Sequence, residues 1–438
     1  MQKVLGSETL RVVATETGFY VRSSKLTPEV FFDLLFYAAS LSQNSSLEYL
    51  VSCLDAKYGI DMRKQSLDER FTEKTVNFVE RVLLRLISEQ FSDLLYCEEF
   101  LSGFNHVRIK DSTKFNVPKN LSSNYRGSGG GGDTSDAGIS IQYEFDLKTG
   151  KFLDLHITEA VRNDRQDARE TAENVCKNDL ILRDLGYFSV PVLQKIAENG
   201  AFFLSRLKSD VLVMDENGQE FDFEKLYKKL SKTGKASCDK EVFITRDKVP
   251  VRLYAGLVPA AVYQERIRRK QQEEKKKGHQ MKKRTKFLLQ FNLFVTNADA
   301  ETLPAERIMP LYRFRWQVEL QFLNWKSIFS IHKLQKMKET RYITMLYIRL
   351  ILIIVNLQII NRVQSLLPKH MDEGCILSYR KTCNTMKNSF HDILLILRSE
   401  TEKAIEKLGD IYRMLRKNHW REKRKKRENF IENIFLFV

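Results

Sequence analysis

The sequence predicts an α/β fold, a mixed β-sheet with helices on its faces, set between helical N- and C-terminal regions. Three observations carry that reading. Residues 105–210 hold three strand-like runs in succession and then alternate helix with strand, an order that suits a mixed sheet. Residues 25–100 carry helix caps instead. The run L-I-L-I-I-V-N-L-Q-I-I, Leu350 to Ile360, is apolar on every side but is preceded by Arg349 and interrupted by Asn356 and Gln358. It falls short of the roughly 20 apolar residues that span a bilayer, so it reads as a buried core helix, within about 341–367.

In chain order, Thr27-Pro28 is an N-cap with proline at the first helical position. Ser45-x-x-Glu48 is a capping box, Gly59 a stop, and Ser66-x-x-Glu69 a second capping box that opens the next helix. Two short helices so joined resemble a helix-turn-helix, although the segment taken alone is better explained as an ordinary helical hairpin. In H-V-R-I-K-D-S-T the period of two places Val107, Ile109 and Asp111 on one strand face. G-I-S-I-Q-Y-E-F-D-L and K-F-L-D-L-H-I-T are the next two strands, turned by D-L-K-T-G. Between the first two strands Gly127–Gly132 lacks the G-K-[ST] of a phosphate loop and reads as a flexible tip. A polar helix from Asp164 to Lys177, the strand D-L-I-L-R-D, a short helix and the strand A-F-F-L-S-R-L follow.

Residues 210–297 read as a β-rich insertion around a basic run, Arg266–Lys286, whose eleven Lys/Arg against two Glu predict a solvated segment. The expected divisions are a helical DNA-binding region at 1–100, a core at 101–209 and 298–367, the insertion between its halves, and a basic helical region at 368–438.

Composition narrows the function. The chain has 438 residues, 43% hydrophobic and 29% charged, and a net charge of +16, which favours a polyanionic partner, most often nucleic acid. The six cysteines form no C-x-x-C pair, which argues against zinc and a disulfide framework and for a reducing cytoplasm. The first ten residues lack the apolar run of a signal peptide.

The chemistry is concentrated in Y-R-F-R-W-Q-V-E-L-Q-F-L-N-W-K, Tyr312 to Lys326. On one helix from about Ala305 to Ser330, Tyr312, Arg315, Glu319 and Lys326 would share a stripe about 60° wide. An i, i+4 ion pair explains Arg315 and Glu319 but not the extension of the stripe to Tyr312 and Lys326. A lone carboxylate on a basic stripe suits a magnesium ligand among phosphate contacts. Asp111 stands where the strand pattern calls for an apolar residue. Asp184 ends another apolar strand just before a glycine.

The spacing Y-x2-R-x3-E-x6-K, met by Tyr312, Arg315, Glu319 and Lys326, resembles the signature of insertion-sequence transposases of the IS-four type, in the DDE class. Asp111-Ser112-Thr113, Asp184-Leu185-Gly186-Tyr187 and the V-T-N ending in Asn297 resemble the same family's other motifs. The resemblance covers about residues 105–365. It implies an RNase H-like fold with an insertion between the second aspartate and the glutamate. It also implies that Asp111, Asp184 and Glu319 are catalytic and hold two Mg²⁺ ions, with Mn²⁺ as a substitute. By the same resemblance Tyr312, Arg315 and Lys326 grip DNA phosphates, and the partners are double-stranded terminal inverted repeats, target DNA and a second copy of the chain. The expected activity is cut-and-paste movement of an insertion sequence in the bacterial cytoplasm, with no membrane partner. A related nuclease that does not integrate, and a catalytically inactive DNA-binding regulator, are the alternatives. One departure concerns the base-stacking Trp of hairpin-forming relatives. Only Trp316, Trp325 and Trp420 occur, none of them in the insertion.

Overall fold

The computed structural model describes residues 2–40, 46–90, 101–127, 137–278, 280–366, 377–398 and 401–420. Ser45, most of the glycine run (128–132) and the end of the basic C-terminal tail lie outside the described residues. The chain opens with helices α1 (Gln2–Leu5), α2 (Ser7–Glu16), α3 (Pro28–Ser40), α4 (Leu47–Tyr58), α5 (Lys64–Asp68) and α6 (Glu73–Ser88). Strands β1 (Val107–Val117), β2 (Ala137–Asp146) and β3 (Phe152–Glu159) follow, then α7 (Asp164–Glu170), β4 (Leu180–Arg183), α8 (Val190–Glu198) and β5 (Phe202–Arg206). Next come β6 (Val213–Met214), α9 (Phe223–Thr233), β7 (Ser237–Ile244), β8 (Val249–Leu257), α10 (Ala260–Lys277), α11 (Lys283–Leu288) and β9 (Phe291–Thr296). Six helices complete the described chain: α12 (Ala305–Arg313), α13 (Trp316–Ser327), α14 (Glu339–Leu366), α15 (Tyr379–Asn388), α16 (Phe390–Arg398) and α17 (Thr401–Asn418). The expected α/β class with helical terminal regions is therefore present.

The chain divides into two compact units. One gathers Met1–Tyr96, Ser112–Val161 and Gln317–Val438. The other gathers Cys97–Asp111 and Arg162–Trp316.

In the first unit α14 is the core. Its apolar stretch is long enough to cross a membrane by composition, yet it is wholly buried within the protein, packed on α3 and α6. Leu350, Ile351, Ile353, Ile354 and Val355 are at most 1% exposed, which explains a helix with no polar face. Two polar residues inside it bond to its own backbone: Asn356 donates to the Leu352 carbonyl at 2.7 Å and Thr344 to that of Thr340 at 2.7 Å. The strand order in this unit is β3-β2-β1, and β2 is buried at all ten positions. Its turn into β3 is built by Asp146, whose carboxylate accepts from the Lys148 N–H at 3.2 Å and the Thr149 hydroxyl at 2.7 Å. Gly150 supplies the left-handed residue at φ 68°.

Two expectations about caps change here. Helix α4 is capped by Ser46, which accepts from the Tyr49 N–H, and ends as expected at left-handed Gly59. Ser66 does not open a helix; it sits inside the five-residue α5. The long following helix α6 instead begins at Thr72, capped reciprocally with Thr75. The competing cap wins because Glu73–Ser88 has the apolar periodicity that Ser66–Glu69 lacks, with Phe78, Val79, Val82, Leu83 and Leu86 all buried.

The second unit carries the strand order β1-β4-β5-β9-β8-β7-β6. Strands β1, β4 and β5 are parallel, and β9, β8, β7 and β6 continue the sheet antiparallel. Strands β6–β8 of the proposed insertion thus extend the sheet past β9. The basic run is helical rather than irregular. Helix α10 is supported by Glu265 paired with Arg269 at 2.8 Å and Lys270 with Glu273 at 2.6 Å. Arg266 ties it to β9 by donating to the carbonyls of Leu289 at 3.1 Å and Phe291 at 2.9 Å. The polar helix after β3 is shorter than expected, seven residues followed by a 3-10 turn at Ala172–Asn174.

The first four residues of β1 are buried on both faces. Val107 and Ile109 lie on the apolar face as expected, but Arg108 and Lys110 on the other are buried too. Each has a counter-ion: Arg108 meets Asp179 at 3.0 Å, and Lys110 meets Asp167 of α7 at 2.7 Å, with both side chains of the latter pair fully buried. Burial would raise the Asp179 carboxyl, but His106, the Cys176 N–H and Arg108 together hold it below its ordinary value.

Candidate active site

The parallel pairing of β1 with β4 runs from Val107↔Leu180 to Lys110↔Arg183. Asp111 and Asp184 each come immediately after the last registered pair, so the two acids stand side by side where this parallel pairing stops; Asp184 follows the carboxyl end of β4, whereas Asp111 is not at the expected strand end, because β1 runs on to Val117. Arg315 joins them. Its Nη1 lies 3.3 Å from Asp111 Oδ2 and its Nε 3.7 Å from Asp184 Oδ1. The Asp111 and Arg315 side chains are 19% and 14% exposed and Asp184 is 45% exposed, so solvent reaches the pair mainly from the Asp184 side.

Gly186 reports what surrounds Asp184. A Cβ there would be in ordinary van der Waals contact with Asp164 Oδ2 at 3.5 Å and Asp184 Oδ2 at 4.0 Å, so both carboxylates lie around the same point. Asp164, at the first turn of α7, is thus a further acid close to Asp184. Its signal in the sequence was only that of a helix-start residue.

The expected continuous helix at 305–330 is two helices. Pro310 lies inside α12, and the chain closes α12 with tight i→i−3 bonds, Phe314 N to Leu311 O at 3.0 Å and Arg315 N to Tyr312 O at 3.1 Å. Tyr312 therefore belongs to α12, Arg315 to the junction, and Glu319 and Lys326 to α13. The single 60° stripe does not exist. The sequence offered Pro310 as a sign of the break.

Tyr312 is 8% exposed, stacks obliquely on Phe294 at 4.9 Å, and donates its hydroxyl to the Arg183 carbonyl at 3.1 Å. It thereby anchors α12 to the strand end that presents Asp184. Burial pushes its phenol up to about 12. With the folded value above the unfolded value near 10, the contribution of Tyr312 to stability is complete below about pH 10 and is lost as pH rises toward 12. Tyr312→Phe should cost about 1 kcal/mol in urea unfolding at neutral pH and reduce that alkaline loss; an unchanged alkaline profile would remove Tyr312 from the cause.

In the first unit, Glu319 lies in the first turn of α13 and is partly buried. Lys326, in the last turn, donates to the Lys114 carbonyl at 3.3 Å, and burial lowers its ammonium below the usual value. Between them Trp325 is fully buried against Tyr143, with ring centres 4.8 Å apart. Asn297 plays a structural part in the second unit. It accepts from the Phe203 N–H at 2.9 Å and donates to the Ala201 carbonyl at 2.8 Å, locking β5 beside the end of β9.

The donors at the aspartate pair suit a hard divalent cation, since they are carboxylate oxygens and the two already share one positive group. Among the described residues no three His, Cys, Asp or Glu side chains form a ready-made metal cluster.

Comparison with known proteins agrees with the motifs. Residues 102–357 match the family model of the transposase DDE domain. The transposase for insertion sequence element IS231B of Bacillus thuringiensis subsp. berliner is 29% identical, the alignment covering 97% of this chain and 91% of that one. The transposase for IS231C of the same organism is 30% identical over 93% and 88% of the two chains. The transposase for IS1151 of Clostridium perfringens is 27% identical over 80% and 77%.

Proposed function

This chain belongs to the family of transposases with a DDE domain, and from that premise we propose that it moves an insertion sequence by cutting DNA at terminal inverted repeats and joining the freed ends to a target. The observation that carries the reading is the meeting of Asp111 and Asp184 on one cationic group, Arg315, where the pairing of β1 with β4 stops. Asp111 and Asp184 would hold divalent cations, with Glu319 as the third carboxylate. Two Mg²⁺ ions, or Mn²⁺ in their place, supply Lewis-acid activation of the attacking oxygen and charge neutralisation at the leaving oxygen.

The remaining work falls to the chain's own residues. Arg315 is aimed at both acids and suits a phosphate oxygen between them. Lys326, half-buried and poorly solvated, gains most from an anionic partner. Such contacts set the register of the backbone and carry no sequence information. Tyr312 supports the Asp184 strand end through the Arg183 carbonyl. Two ends joined in one event require two active sites, so the working form in this reading is a homodimer on DNA.

The test is incubation of the protein with DNA carrying its own flanking repeats, in Mg²⁺ or in EDTA, followed by end mapping and native gels. Cuts at the repeats in Mg²⁺ alone, from a complex of two chains and two ends, support the proposal. Binding to the repeats with no cleavage in either condition would replace it with the inactive-regulator reading.

A further inference from the structure

Three adjoining cavities lie in the second unit and share walls. One of about 450 Å³ is floored by apolar side chains, among them Leu207, Leu288 and Phe291, and walled by Arg206, Arg266, Arg269 and Lys270. The next, about 560 Å³, shares Leu185, Ser209 and Lys270 with it and adds Arg165 and Lys208. The third, about 540 Å³, continues past Arg165 and Lys208 to Arg246. Leu185, which lines the first two, is the residue after Asp184, and Asp184 acts electrostatically on Lys208 of the second, so the cleft runs close to Asp184.

Its charge is predominantly positive, with Asp210, Glu273 and Glu274 as the acids in its walls and Asp210 acting on Lys208. Arg165 faces Lys208 closely enough to lower the lysine, after burial, and Arg206 acts likewise on Arg266. Holding like charges together is costly unless an anion joins them. The acids present are partly committed: Glu273 pairs with Lys270 at 2.6 Å, and Glu274 accepts from the Met281 N–H. Arg266 is fixed by the carbonyls of Leu289 and Phe291 at the start of β9, so this part of the cationic wall is pre-organised. Cavities of this size admit nucleotides but not an intact duplex, and an apolar floor beneath cations suits sugar and base faces next to phosphates.

We propose that this cleft binds one unpaired DNA strand leading away from the Asp111–Asp184 pair, its phosphates on Arg165, Arg269 and Lys270. The proposal rests on the reading of DNA as substrate, but its test involves no cleavage. In EDTA, fluorescence anisotropy compares a blunt repeat-end duplex with the same duplex carrying a single-stranded extension, over a range of KCl. Wild type should bind the extended DNA more tightly. The triple variant R165Q/R269Q/K270Q should lose that preference, and its log Kd against log [KCl] slope on the extended DNA should fall by about 2, at roughly 0.7 per single-strand phosphate contact. Glu273→Gln, which removes an acid from the same wall, should tighten binding of the extended DNA and keep the blunt duplex unchanged. Equal losses on both DNAs in the triple variant would place these cations on duplex DNA and overturn the proposal, as would an unchanged slope. A triple variant that melts early leaves the decision to Glu273→Gln, whose failure to favour the extended DNA is equally fatal. Failure of the transposase reading would appear separately, as absence of cuts in Mg²⁺.

Discussion

Asp184→Ala should lower strand cleavage by about a thousandfold or more, equivalent to roughly 4 kcal/mol in the activation barrier, while end binding in EDTA stays within a few-fold of wild type. Asp184 is 45% exposed and follows β4 rather than supporting it, so its removal leaves no cavity. It does leave Arg315 with less negative charge nearby, and DNA affinity should if anything rise. Asp111→Ala and Glu319→Ala should show the same separation of cleavage from binding. Single-turnover cleavage with anisotropy on the same preparations measures both quantities. Near-wild-type cleavage in any one of the three would remove that carboxylate from the catalytic set, and collapse of binding in all three would assign them a structural role.

Asp167→Ala should destabilise the protein by about 3–5 kcal/mol, because it leaves the fully buried Lys110 ammonium without its partner at 2.7 Å. The double variant K110M/D167L replaces the pair with apolar side chains of similar volume and should recover most of that loss. Urea unfolding of wild type, K110M, D167L and K110M/D167L forms the cycle. Additive losses would show that the two residues act independently. Since Lys110 directly precedes Asp111, the same variants report whether this ion pair also sets the carboxylate: cleavage in the double variant should fall even where stability returns.

The sequence made the strands of a mixed sheet and the buried helix α14 legible, because period-two and all-apolar runs report burial directly, but the strand end expected at Asp111 is an interior position of β1. Asp111 was visible for the same reason, as a polar residue at an apolar position. Arg108 and Lys110 were not, since alternation assigns the opposite strand face to solvent and cannot see that Asp179 and Asp167 arrive there from distant positions. The continuous stripe at 305–330 failed because helical geometry was extended through Pro310 and across a junction that the turn at Phe314–Arg315 interrupts. Arg315 was read as a phosphate contact, and its place between two carboxylates follows from the pairing register of β1 with β4, which no local pattern encodes. The solvated basic run proved to be a helix, since ion pairs along α10 and the anchoring of Arg266 outweigh its lack of a core.

The burial of α14 against α3 and α6 has a consequence in time. Its partners end at Ser88, and it begins at Glu339, about 250 residues later. At synthesis rates of about 5–20 residues per second, the apolar faces of α3 and α6 wait roughly ten to fifty seconds on the ribosome for the helix that covers them. Throughout that interval the growing chain is exposed to chaperones and proteases. The amount of finished protein is therefore set partly by how fast the intervening sheet is translated, before any DNA is met.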